Sequence, residues 1–173
     1  MAKRPIRAHR AAKRSALKDN NGRAVDREPA SRRGCGALLV DQMLLTMTSA
    51  ARAVILTAAA SAAPDEACGL LLGTGAHIHT ALPAANVASD SARHFEIDPS
   101  ALIAAHRAAR TGGPQVVGYY HSHPNGLARP SDTDAASAAR DSRIWAIVAA
   151  GAITLWRDGP SGFEALSYVL VDG

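Results

Sequence analysis

The sequence predicts an α/β (α+β) protein in which a mixed β-sheet is flanked by helices. Three observations lead to that class. Strand-like and helix-like segments interleave from residue 43 to the end of the chain, the pattern of a sheet covered by helices. Hydrophobic residues make up 47% of the 173 positions and aromatics only 4%, so the core is built from Ala, Val, Leu and Ile. The run Val116 to Tyr120, rich in β-branched and aromatic residues, reads as a buried strand.

Taken in order, Met43 to Thr48 is the first strand. Ser49 is placed to cap a helix over residues 50–63, which Pro64 ends. Residues 67–72 form a short apolar strand, and Gly73-Thr74-Gly75 turns it into a second over residues 77–82. Residues 83–95 read as a surface loop, and Asp98-Pro99-Ser100 opens a helix that runs to about Arg110. Thr111-Gly112-Gly113-Pro114 breaks that helix, and residues 115–123 are a strand. A helix from Asp132 to about Arg140 follows, then three strands over 144–149, 152–157 and 163–171.

The charge is unevenly spread. Residues 1–41 hold eleven Lys and Arg against four Asp and Glu, whereas residues 42–173 hold eight against eleven. The basic character therefore belongs to an N-terminal extension, which its composition marks as disordered. Three readings of it stay open: an electrostatic arm for nucleic acid or anionic partners, a solvated tail without a role, or an artefact of a start codon placed too far upstream. Its Arg-rich composition also has something of an organellar transit peptide. Residues 42–173 are the domain. Cys35 and Cys68 are far apart and form no C-x-x-C, which argues against a disulfide framework and for a reducing, cytoplasmic setting. No apolar run reaches the roughly 18 residues of a membrane span, and the N-terminus lacks the apolar segment of a signal peptide.

The chemistry concentrates after residue 118. On a strand, side chains at i and i+2 share a face, so His121 and His123 present two imidazoles side by side. Pro124 ends the strand, and Ser131 then begins a helix as N-cap, with Asp134 three positions on. A carboxylate there is held ionised by the helix N-terminus. Two histidines and a carboxylate give Zn2+ three protein ligands and leave one position open, the pattern of a catalytic site. Asp132 competes with Asp134 for that role. His77-Ile78-His79 repeats the pattern, but no Ser-x-x-Asp follows it, and Ile78 reads as the inward residue of a half-exposed strand. His94 and His106 read as structural or solvated, and Cys68 as a small core residue. There is no H-E-x-x-H and no phosphate-binding loop.

The spacing His121-Ser122-His123-Pro124, then Ser131, then Asp134 resembles the signature of the JAMM (MPN-plus) zinc metalloproteases. Pro64-Asp65-Glu66-Ala67-Cys68-Gly69-Leu70-Leu71-Leu72-Gly73 resembles that family's upstream glutamate segment. The likeness spans roughly residues 43–170 and is nearest to short bacterial and archaeal members. It implies the cytidine-deaminase-like MPN fold, with His121, His123 and Asp134 as zinc ligands and Asp134 chosen over Asp132. It implies Glu66 as the general base that passes its proton to the leaving amine, with Asp65 the fallback. It also implies that the Ser131 hydroxyl, whose proton the cap leaves free, steadies the oxyanion. The family acts on the Gly-Gly tails of ubiquitin-like proteins, and the short members resemble enzymes that trim a small sulfur-carrier protein, for instance of cysteine. A broader isopeptidase is the nearest alternative. An inactive MPN scaffold tethered by its basic tail is the alternative from another class.

Overall fold

A computed structural model describes residues 44–172; the extension over residues 1–41, Cys35 and Met43 lie outside them. Eight strands and three helices follow in the order β1 (Leu45–Thr48), α1 (Ser49–Ala62), β2 (Cys68–Thr74), β3 (His77–Ala84), α2 (Pro99–Arg110), β4 (Gln115–Ser122), α3 (Asp132–Ser137), β5 (Ile144–Ala149), β6 (Ala152–Gly159), β7 (Gly162–Leu166) and β8 (Tyr168–Val171). The strands form one mixed sheet ordered β7-β6-β5-β4-β2-β3-β1-β8. β4 runs parallel to β5 and antiparallel to β2. The expected class, a mixed sheet with helices, is the observed one.

The neighbours Leu70 and Leu71 point to opposite faces of β2, and each anchors a separate core. On one face Leu71 and Tyr120 pack with Met47 and with Ile55 of α1. On the other, Leu70 and Val116 pack with Ala105 of α2 and with Tyr119. Gly118 lets β4 and β5 close up, since a Cβ there would run into the Ile144 carbonyl. His121 pairs with Cys68 and shares Tyr119's face, so it lies on the α2 side.

Four expectations differ from what is observed. The cap of α1 is Thr48, not Ser49: β1 runs straight into the helix, and the Thr48 hydroxyl accepts from the Ala51 amide at 3.0 Å while donating to the His79 carbonyl at 2.8 Å. β3 continues through Pro83 to Ala84, which is permitted because only β2 pairs with it there. α3 stops at Ser137 instead of Arg140, as the Arg140 amide donates to the buried Asp158 carboxylate at 2.6 Å and draws the chain toward β6. The expected last strand is two: β7 pairs with β6, β8 with β1, and only Ser167 separates them. The sheet therefore curls until its opposite edges are one residue of chain apart. Among the described residues, no helix is long and apolar enough to cross a membrane.

Candidate metal centre and active site

The end of β4 delivers the two imidazoles. The His123 amide donates to the Val148 carbonyl at 2.7 Å. Its Nδ1 lies 2.7 Å from the Leu127 carbonyl, which can only accept, so Nδ1 carries the proton and Nε2 turns a lone pair inward. The Nε2 atoms of His121 and His123 are 2.9 Å apart. Two charges on them at that distance would repel, so the pair calls for a cation or a shared proton.

The carboxylate arrives from α3. Ser131 and Asp134 form a reciprocal capping box: the Asp134 amide donates to the Ser131 hydroxyl at 3.1 Å, and the Ser131 amide donates to Asp134 Oδ2 at 2.7 Å. Asp134 Oδ1 lies 3.2 Å from His121 Nε2, and Oδ2 lies 3.3 Å from His123 Nε2. Burial alone would raise the Asp134 carboxyl, but the two rings, where they carry a proton toward it, and the Ser131 amide outweigh burial and hold the group far below the usual range. Burial lowers His121, whereas at His123 the bonds to Asp134 and Leu127 overcome burial and raise it.

His121, His123 and Asp134 are thus positioned to hold a metal ion, and among the described residues they are the one such cluster. A tetrahedral zinc with bonds of about 2.0–2.1 Å spaces its ligand atoms roughly 3.3 Å apart, close to the separations found. The donor set fits. A metal-holding histidine usually donates its other ring N–H to a carboxylate or carbonyl, but His121 Nδ1 is buried with no hydrogen-bond partner among the described residues. Its ring is held instead by stacking on Phe95, centroid to centroid 4.3 Å, and by the edge of Trp145 at 5.8 Å.

Glu66, just before β2, is 5% exposed and lines a cavity of about 270 Å³ with Asp134, Ser131, Phe95, Tyr119 and Trp145. Burial pushes its carboxyl up to about 7; the nearby His123 lowers it and Asp134 raises it. Ser122 fixes it beside the imidazoles, because the Ala67 amide donates to the Ser122 hydroxyl at 2.8 Å and the Ser122 amide donates to the Ala67 carbonyl at 2.9 Å.

The structure therefore brings Glu66, His121, His123, Ser131 and Asp134 to one place. Asp65 and Asp132 are exposed and do not join the ligand cluster. The expectation that the cap leaves the Ser131 proton free is corrected here: the hydroxyl sits 2.7 Å from Asp134 Oδ2 and donates to it. His94 lines the cavity, while His77 and His79 are exposed on β3. Cys68 is a buried free thiol that burial pushes up to about 11. Sequence reasoning missed Ser122, Phe95 and Trp145; only Ser122 carried a signal, lying between the two histidines.

A curled mixed sheet carrying a His-x-His strand end and a capped aspartate defines a class, and residues 48–159 match the family described as prokaryotic homologs of the JAB domain. The chain belongs to that family. A desampylase from Haloferax volcanii is 35% identical over 96 residues, covering 52% of this chain and 69% of the relative. The solution structure of a protein from Desulfitobacterium hafniense superposes with a TM-score of 0.67 at 27% identity, over 75% of this chain and 94% of that one. One from Salinibacter ruber gives 0.57 at 34% identity, over 74% and 92%. A JAB1/MPN domain protein from Archaeoglobus fulgidus shares the fold at 0.52 and 22% identity, over 75% and 99%.

Proposed function

We propose that this chain is a zinc-dependent hydrolase of the amide or isopeptide bond at the Gly-Gly tail of a small ubiquitin-like or sulfur-carrier protein. One observation carries the reading: a buried carboxyl with its pKa raised to about 7, Glu66, lines the same cavity as Asp134, beside two imidazoles. The desampylase relative supports a ubiquitin-like partner, and glycines suit a narrow approach to a buried centre.

His121, His123 and Asp134 would hold the ion. When bound, zinc supplies Lewis acidity, polarising a carbonyl and bringing the pKa of water near neutrality. Glu66 takes the proton from the water that attacks the carbonyl carbon. As the C–N bond breaks, Glu66 returns that proton to the amine. A pKa near the working pH suits both transfers. Ser131 keeps Asp134 oriented, and its hydroxyl reaches an oxyanion only by turning away from that carboxylate. Phe95, Tyr119 and Trp145 give the cavity beside Glu66 and Asp134 an aromatic wall. The domain that does this is assigned to residues 42–173, leaving the basic residues 1–41 outside the chemistry.

The test is incubation of the zinc-loaded chain with a carrier–cysteine adduct, read by mass spectrometry. Free carrier is the expected product. Cleavage of other conjugates alone would point to a broader isopeptidase. No cleavage at saturating zinc would overturn the reading and leave a scaffold.

A further inference from the structure

The Glu66 carboxylate accepts no hydrogen bond among the described residues, so its position is inherited from its backbone. That backbone is held from both sides by the loop between β3 and α2. The Glu66 amide donates to the Ser91 carbonyl at 2.7 Å, and the Glu66 carbonyl accepts from Asn86 Nδ2 at 3.0 Å.

Asn86 does more than reach one carbonyl. Its Nδ2 also donates to the His94 carbonyl at 3.0 Å, while its Oδ1 accepts from the Ala88 amide at 3.1 Å and the Glu96 amide at 3.0 Å. Two carbonyls on one side and two amides on the other leave a single orientation for the side chain, and all four partners use its full capacity. Its backbone adds a bridge to Ile97. One amide group thereby joins the strand of the general base to both limbs of the loop. That loop also carries Phe95, which stacks on His121.

Resting on the hydrolase reading, we infer that Asn86 is a positioning residue that sets Glu66 against the cavity and locks the loop forming the cavity wall. Aspartate is nearly isosteric but would turn an oxygen toward the Glu66 and His94 carbonyls. Asn86→Asp therefore removes the donating side while keeping shape.

In the zinc-loaded full chain, Asn86→Asp is expected to lower kcat about 10- to 100-fold, with KM moved less than about threefold and one zinc per chain retained. Added to Glu66→Gln, the same change should cost less than about twofold more, since residues acting as a unit are not additive. An unchanged kcat, a loss that multiplies in the double variant, or loss of zinc would each overturn the inference. If the variants do not fold, the wild-type chain still decides by amide exchange. The Asn86 side-chain protons should exchange at least about tenfold more slowly than those of Asn125, of which, among the described residues, only Oδ1 is engaged, by the Leu127 amide. Equal exchange would overturn the clamp. A wild-type chain that cleaves nothing would sink the hydrolase reading while leaving the exchange measurement to judge Asn86.

Discussion

The chain contains two His-x-His pairs on strands, and they meet different fates. On β3, His77 and His79 stand exposed with ring centroids 6.4 Å apart, and the His77 Nδ1 is taken up by the Thr46 hydroxyl at 2.7 Å. At the end of β4, His121 and His123 are buried with centroids 4.7 Å apart and turn both Nε2 atoms to Asp134. Local pattern is the same in both, so it cannot be what makes a metal site. The difference lies in what the fold adds. At β4 a carbonyl four residues on fixes the His123 tautomer, and a capped helix supplies a carboxylate; among the described residues β3 has neither.

The comparison breaks most sharply at the ligands. His123→Ala is expected to weaken zinc binding by more than about 100-fold and to abolish hydrolysis, as followed by metal analysis and product mass. Zinc retained at wild-type affinity would place the centre elsewhere. Next in size is Glu66→Gln. It should keep zinc and lower turnover by roughly 10²- to 10⁴-fold, and an unchanged rate would remove Glu66 from the chemistry.

What was legible in the sequence follows the same divide. His121, His123, Ser131 and Asp134 are close in sequence, and strand alternation plus helix capping were enough to bring them into view. Glu66 lies 55 residues before His121 and was placed by resemblance alone. Ser122 binding Ala67, and Asn86 binding residues 66 and 94, are long-range pairings that no local rule encodes. The split of the last strand was hidden for a similar reason. Residues 163–171 have one continuous β-like composition, and only closure of the curled sheet assigns β7 and β8 to opposite edges. The early end of α3 depends on Asp158, again from a distant strand.

A smaller effect separates the two regions by pH. The folded Glu66 carboxyl is raised from 4.5 to about 7. In metal-free protein its contribution to stability is present below pH 4.5 and lost as pH rises to 7, because the unfolded chain ionises it first. Glu66→Gln does not ionise, so its stability relative to wild type should rise across that window and level off above it. Solvent reaching the cavity reduces the gain to roughly 1–2 kcal/mol. Denaturant melts of both proteins at pH 4 and 8, with chelator present, measure it; a constant difference would mean the carboxyl is not raised.

The smallest expected effect belongs to the exposed pair. Replacing both His77 and His79 by Ala removes one hydroxyl contact and two exposed rings, and surface changes of that kind stay within about 0.5 kcal/mol. Zinc stoichiometry should remain one per chain and turnover should be unchanged. That near-silence is informative because the two pairs share a motif. If the double variant lost zinc, the tautomer-fixing carbonyl and the capped carboxylate would not be what distinguishes the strand ends, and the contrast between β3 and β4 would fail. If only His77→Ala were destabilising, the Thr46 hydroxyl would be its cause, since β1 and β3 pair through Thr46 and His77. His79→Ala, which leaves that contact intact, should then match wild type.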